Sequence, residues 1–287
     1  MSYRKKYIKS KIHKIKPKKS IFKKPIFLIA ILVLVIISAA LYFLFFFYGF
    51  QVKNIVISGN EKIQLKDIDN LVSNNINKKI VAFGSWSITS KSIFLTNPSE
   101  LQRIILKTFP TIETATIERQ LPQNVNLKIE ERKPFAVFCQ TETVVAPASA
   151  EASAGKRRCF FIDRNGVVFE ELQNIPQDMP ILKQSIDVPE IFSGENVIEK
   201  NIMDVISKIE KNLKDNFQIN VKEAFLTSPL RLDIKTNENW QIYFDLNSDT
   251  DLQIIKLNSL LKNEISQTSR ANLQYIDLRF KDRAYYK

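Results

Sequence analysis

Residues 111–134 read TIETATIERQLPQNVNLKIEERKP. Two runs, Thr111–Arg119 and Val125–Arg132, flank the break Gln120-Leu121-Pro122-Gln123-Asn124. In the second run Val125, Leu127 and Ile129 alternate with Asn126, Lys128 and Glu130. Residues two apart share one face of a strand, so this run reads as a strand buried on one side. The first run reads as its neighbour, with Leu121-Pro122 and the amides beside it marking the bend.

Moving upstream, Asn97-Pro98-Ser99-Glu100 opens a helix. Asn caps it, Pro takes the first helical position, Glu sits at the third, and Leu101, Ile104 and Ile105 form the stripe to be buried. Lys78–Thr96, with Gly84 and several serines, reads as irregular. Before it, Leu65, Ile68, Val72 and Ile76 recur at helical spacing, and Val52–Ser58 reads as a short strand ended by Gly59-Asn60. The order strand, helix, helix, strand, strand makes an α+β module, two helices on one face of a small sheet.

Downstream of Pro134 the texture turns to β. Phe135–Gln140 and Cys159–Ile162 are strand-like, and the Ala-, Ser- and Glu-rich stretch 141–158 between them reads as a mobile insert. Phe160–Asp163 and Val167–Phe169 form a hairpin around Asn165-Gly166. Ile198, Ile202, Val205, Ile209 and Leu213 mark a third helix. Leu230–Ile234 and Trp240–Leu246 make a second hairpin around Asn237-Glu238-Asn239, and Ile254, Leu257, Leu261 and Ile265 a fourth helix. Leu273–Phe280 closes the fold as a strand, with Ile276, Leu278 and Phe280 on one face and Tyr275, Asp277 and Arg279 on the other.

From Pro25 to Val52 there is no charged residue. Ile26–Tyr48 would reach ~35 Å as a helix, enough for a hydrocarbon core of ~30 Å. The apolar region of a cleaved signal normally runs ~7–15 residues; here Leu41–Phe47 continues past Ser38-Ala39-Ala40, so an uncleaved anchor is expected. Residues 1–24 carry eleven Lys/Arg and no acid, against Lys53 and Lys62 close behind the span. That asymmetry predicts a cytoplasmic tail, drawn to anionic headgroups, and an exported body. The expected parts are a tail (1–24), a span (25–50), a first domain (51–134), a β-rich domain (135–280) and a short tail (281–287).

The formal charge of +12 is a property of the tail: removing its eleven cations from the 42 leaves 31 against 30 acids. A basic nucleic-acid-binding body is therefore not expected. The single histidine, His13, sits in the tail, and the cysteines are Cys139 and Cys159. Neither a metal cluster nor a His-based triad can be assembled in the body, and no cofactor is expected. Ser20-Ile21-Phe22-Lys23 fits an S-x-x-K pattern without its context. Asp67 and Asp69 diverge on a helix, and Asp163–Gly166 lacks a calcium loop's glycine and glutamate spacing and reads as a turn. An exported location permits disulfides. If the strands bearing Cys139 and Cys159 pair antiparallel, a bridge closes the insert, provided the Cα atoms lie within ~7 Å; two buried thiols are the alternative. With no acid–base pair or activated nucleophile, the body reads as a binding module.

The spaced residues become specific at Phe109-Pro110-x-Ile112-x-x-Ala115-x-Ile117-x-Arg119-x-Leu121-Pro122, continuing through Leu127-x-Ile129-x-Glu131-Arg132-x-Pro134-x-Ala136. With Phe50-x-Val52-x-x-Ile55-x-Ile57-x-Gly59-Asn60 behind the span, this resembles the POTRA domain of the FtsQ/DivIB cell-division family. Phe161-Ile162-Asp163-x-x-Gly166-x-Val168-Phe169 and Ile276–Phe280 resemble its β-domain hairpin and closing strand. The resemblance covers residues 20–287. It departs at 141–158 and at Asn247-Ser248-Asp249, where a glycine-containing stretch is usual.

What the resemblance implies is a non-enzymatic scaffold at the division septum. FtsB/DivIC-like and FtsL-like single-span partners would be joined through the last strand of the second domain, other division proteins through the POTRA face. A strand at a sheet edge offers unpaired N–H and C=O groups for strand addition. The candidate partner-binding residues are Leu278, Arg279, Phe280, Asp282, Arg283, Tyr285 and Tyr286. A POTRA-bearing export or outer-membrane assembly factor would need a C-terminal barrel of alternating strands, and the helices after residue 195 leave none. An anchored cell-wall enzyme lacks a nucleophile in context.

Overall fold

The computed structural model describes residues 25–83, 86–140, 158–185 and 190–287. The expected basic tail, with His13 and Ser20–Lys23, and residues 141–157 of the expected insert lie outside the described residues. In chain order the first elements are α1 (Pro25–Phe46), β1 (Asn54–Ser58), α2 (Leu65–Ile76), β2 (Lys78–Phe83), β3 (Trp86–Ser90), α3 (Pro98–Thr108), β4 (Ile112–Gln120) and β5 (Asn124–Glu131). The chain divides into two compact units.

The first unit takes the chain up to Asn54, Ile76–Thr96 and the turn Gln120–Asn124. Its α1 is 22 residues long, apolar on every side and buried nowhere. A helix greasy all round has no solvent-facing side, and 22 residues reach ~33 Å, enough to cross a bilayer. Ser38 Oγ donates back to the Leu34 carbonyl (2.8 Å), which satisfies its hydroxyl inside the helix. A one-turn 3₁₀ segment, Tyr48–Phe50, follows. Lys78–Ser90, expected to be irregular, is instead an antiparallel hairpin of β2 and β3. The runs Ile80-Val81 and Trp86-Ser87-Ile88-Thr89 carry β-branched and aromatic residues, a signal diluted by the serines among them.

In the second unit β1, β5 and β4 form a sheet in the order β1-β5-β4. The expected alternation holds in the central strand, where Val125, Leu127 and Ile129 are buried. Ile68 and Val72 of α2 and Leu101 and Ile105 of α3 are buried one helical turn apart. Asn97 caps α3, its Oδ1 accepting from the N–H groups of Ser99 and Glu100. Gly59 ends β1 with φ +86°, and a Cβ there would stand 2.1 Å from the Ile129 carbonyl oxygen, so the turn admits only glycine.

The chain continues through β6 (Ala136–Gln140), β7 (Arg158–Ile162), β8 (Val168–Leu172), β9 (Ile181–Gln184), α4 (Lys200–Phe217), β10 (Val221–Ser228), β11 (Arg231–Thr236), β12 (Gln241–Asp245), α5 (Thr250–Ser259), β13 (Tyr275–Asp277) and β14 (Tyr285–Tyr286). One sheet holds nine of these strands in the order β14-β13-β12-β11-β10-β9-β6-β7-β8. β9 is an interior strand, parallel to both of its neighbours, β10 and β6. Against one face pack Ile206, Ile209 and Leu213 of α4 and Leu257 of α5, over Phe138, Phe160, Ile234, Ile242 and Phe244. On the other face Val137, Cys139 and Cys159 gather with Phe161, Leu172 and Ile181. Cys139 stands opposite Cys159 in the β6–β7 register, and the two are joined in a disulfide with Cα atoms 4.1 Å apart. Arg158, counted with the insert from the sequence, is the first residue of β7.

Candidate partner-binding margin

The sheet ends in β12, β13 and β14. Tyr275, Ile276 and Asp277 run parallel to Gln241, Ile242 and Tyr243. The strand expected over Leu273–Phe280 is only three residues long, and the reason lies in Asp277. Its carboxylate accepts from the Arg279 backbone N–H (3.2 Å) and is gripped by the Arg279 guanidinium at 2.8 and 2.6 Å. An aspartate bonded to the backbone two residues on turns the chain out of the extended path. Lys256, reaching over from α5, donates to the carbonyls of Leu278 (3.0 Å) and Phe280 (2.5 Å) and fixes the departing segment.

The exposed edge expected of this strand is covered by the chain itself. β14 pairs antiparallel with β13, Ile276 opposite Tyr286 and Asp277 opposite Tyr285. Gln274 N–H donates to the Lys287 carbonyl (2.5 Å), and Lys287 N–H to that of Tyr275 (3.2 Å). A bare edge invites unintended pairing, and a short covering strand blunts it. The signal in the sequence is slight: two tyrosines behind a charged turn.

The seven candidate residues therefore have different situations. Leu278 is fully buried in the core and is withdrawn from any surface. Arg279 is held by Asp277, and its guanidinium lies 5.5 Å from the Tyr243 ring. Phe280 is exposed and meets Tyr285 edge-on at 5.0 Å. Arg283 donates to the Tyr285 hydroxyl (3.3 Å), and Asp282 and Tyr286 face solvent. Phe280 and Tyr285 are thus brought together as an exposed aromatic pair, while Tyr286, the next residue of β14, is exposed on the opposite face of the strand.

Beside them lies a network that sequence reasoning missed. Asp233, Tyr243 and Asp277 are in register across β11, β12 and β13. Arg231 pairs with Asp233 (2.7 Å) and lies over the Tyr243 ring, which stacks on Tyr275 at 5.7 Å. Burial pushes the Asp277 carboxyl up, but the Arg279 hydrogen bonds outweigh it and hold the group below the usual aspartate range. The same pairing raises Arg279. Tyr243 is pushed up by burial and by Asp233. Cross-strand pairs of this kind need the register, which local pattern does not supply.

The motif residues Glu131 and Arg132 meet elsewhere in the same unit. Glu131 accepts from the backbone N–H groups of Glu61, Lys62 and Ile63 at 2.7–3.1 Å, closing the turn before α2. Burial raises its pKa, and those three donors reverse the sign, leaving it lowered. Arg132 donates from Nε to the Pro110 carbonyl (3.0 Å) and from a terminal nitrogen to Asp163. Asp163 Oδ1 in turn accepts from Asn165 and Val167 N–H, holding the Asn-Gly bend. A cleft of about 570 Å³ lies here, lined by Glu113, Glu130, Glu131, Asp163 and Glu210 with Lys133 and Arg164. Glu113 is bonded to Asn165 and Glu130 to Thr114. Most of its acids thus have structural partners. Among the described residues no group of His, Cys, Asp and Glu is placed to hold a metal ion.

A family model described as the cell-division protein FtsQ/DivIB C-terminal region matches residues 154–279, from four residues ahead of β7 to Arg279. A second, described as the FtsQ-type POTRA domain, matches residues 84–132, from two residues ahead of β3 to the Arg132 clamp. A comparison with curated proteins gives no match. The two matched regions lie one after the other behind α1, the only helix among the described residues long and apolar enough to cross a membrane. The chain is a single-pass membrane protein of cell division and belongs to the FtsQ/DivIB family.

Proposed function

We propose that this protein is a non-enzymatic scaffold of the division machinery, with residues 51–134 as its POTRA domain and 135–280 as its β domain. Its N-terminal tail lies in the cytoplasm and its body outside, at the septum. It assembles FtsB/DivIC-like and FtsL-like single-span partners through the sheet margin, and other division proteins through the POTRA domain, and so regulates septal peptidoglycan synthesis.

The observation that supports this reading is the occupancy of that margin by a strand of two residues. An edge already paired by β14 has the geometry a partner strand needs, and so short and exposed a strand is the least protected piece of the sheet. The incoming strand takes the place of β14 along β13. Arg279, Phe280 and Asp282 then contact it, while Arg283, Tyr285 and Tyr286 belong to the displaced placeholder and cover its flank. Aromatic residues and arginine are the side chains that concentrate binding energy at interfaces.

A fluorescent fusion to the full chain tests the role. Accumulation at the division septum, with co-purification of single-span partners, supports the reading. Uniform membrane fluorescence through the cell cycle overturns it, as does peptidoglycan cleavage or synthesis by the purified protein.

A further inference from the structure

The β2–β3 hairpin hangs from the end of α1. Ser90 Oγ, at the close of β3, donates to the Phe45 carbonyl at 2.5 Å, and Ser92 Oγ to the Leu44 carbonyl at 2.9 Å. Gln51 Nε2 also reaches Phe45 (2.8 Å). These are the carbonyls that the last turn of a helix leaves without intrahelical donors. Backbone bonds from Val52 to Lys91 and from Ile93 to Phe50, both 2.9 Å, fasten the same place. The Phe50 and Phe94 rings meet edge-on at 5.1 Å. The base of the hairpin is thus fixed where the apolar helix ends.

Beyond that base β3 is open to solvent. It is a two-stranded sheet of its own, and a lone two-stranded sheet is marginal in water. Four successive residues of β3, Trp86 to Thr89, are exposed, so among the described residues nothing covers either face of this strand. Trp86 is 82% exposed and Ile88 49%. Trp86 stands four residues from Ser90, within ~13 Å at ~3.3 Å per residue. At the same end of α1, Tyr48 is 74% exposed, with Lys53 Nζ 3.7 Å from its ring. Residues 71–99 contain Lys78, Lys79 and Lys91 and no acid.

A surface must cover this sheet, and its tether indicates which. Tryptophan and tyrosine gather at the boundary between headgroups and acyl chains, where an apolar ring and a polar N–H or O–H are both accommodated. Lysines without acids add attraction to anionic phosphates. We propose that the β2–β3 hairpin lies in the headgroup layer of the bilayer that α1 spans, with Trp86 at the acyl boundary, as a second, interfacial anchor. The inference rests on reading α1 as a membrane span. The hairpin then keeps the residues emerging from the span against the bilayer instead of on a free swivel.

Tryptophan emission tests this, because the other tryptophan, Trp240, is fully buried. The full chain is reconstituted into vesicles of phosphatidylcholine and phosphatidylglycerol, with or without bromine on the acyl chains. The expected result is that brominated lipid quenches the wild type, that acrylamide quenches it weakly, and that Trp86→Phe removes the lipid-sensitive emission. Wild-type emission indifferent to brominated lipid but open to acrylamide overturns the proposal while vesicle flotation upholds the span. Emission shielded from both quenchers overturns it in favour of a protein cover. Failure to float with the vesicles overturns span and anchor together.

Discussion

Asp277 of β13 stands directly opposite Tyr285 of β14, so the residue that ends the last long-range strand pairing also receives the chain's own cover. The same carboxylate holds Arg279. Strand end, turn and cover are therefore coupled at one side chain. In the proposed scaffold this is the place where a partner's extended segment enters.

Two truncations separate placeholder from platform. Removing 284–287 takes away β14 and leaves β13, the Asp277–Arg279 pair and the Lys256 bonds in place. Capture of the partner strand is expected to tighten several-fold, with ~1.4 kcal/mol corresponding to tenfold. Removing 278–287 also strips the buried Leu278 and the carbonyls that Lys256 holds, and capture is expected to be abolished with the protein still in the membrane. Affinity for a partner-strand peptide, measured on the full chain and each truncation in detergent, checks both.

Breaking the Arg132–Asp163 pair should be costly. Asp163 has a side chain only 3% exposed and holds two backbone N–H groups besides the guanidinium. Asp163→Ala strands a half-buried charge, and breaking such a pair typically costs about 3–5 kcal/mol. Lys200→Ala, which breaks a pair with both partners largely in solvent, should cost less than about 1 kcal/mol. Denaturant unfolding of the full chain in detergent compares the two.

Acid should act through Asp277 and Glu131, and Glu210 should oppose them. The first two have folded pKa values below their ordinary ones, so their contribution is complete above about pH 4–5 and is lost as pH falls through the folded values. Glu210 is raised by burial, despite Arg164 and Lys214, so it favours the fold at low pH and disfavours it once ionised. Asp277→Asn should flatten the acid limb of the stability–pH curve. Glu210→Gln should raise the unfolding temperature at pH 7. Thermal melts from pH 3 to 8 give both signs.

The disulfide between Cys139 and Cys159 spans 20 positions of sequence. Closing a loop of that size removes unfolded-state freedom worth ~3 kcal/mol. Native, non-reduced protein should resist thiol labelling at both cysteines, and reduction should lower the unfolding temperature. Labelling of both cysteines before reduction would contradict the bond.

Where local pattern and tertiary demand agree, the residues alone were enough. The alternation at Val125, Leu127 and Ile129, the Asn97 cap and the Asn165-Gly166 bend each carry a local cause, and each forms. What the sequence hid is non-local. β9 is four residues behind Pro180, too short to show a period, yet it joins β6 and β10 in the interior of the sheet. β10, with its Phe225 and Ala224, went unread for want of a turn signal before it. At the margin, Phe280 and the tyrosines were legible as types enriched in interfaces. The withdrawal of Leu278 and the pairing of Tyr285 with Asp277 depended on a register that composition does not encode.

Photo-crosslinking from position 280, in dividing cells, tests the central claim most directly. With a photoreactive residue replacing the exposed Phe280 beside Tyr285, the account predicts a covalent adduct with a small single-span division protein, lost when that partner's extracytoplasmic strand is deleted. Adducts absent at 280, while a probe on the solvent-facing side of α2 at Asp69 captures the same partner, would contradict it.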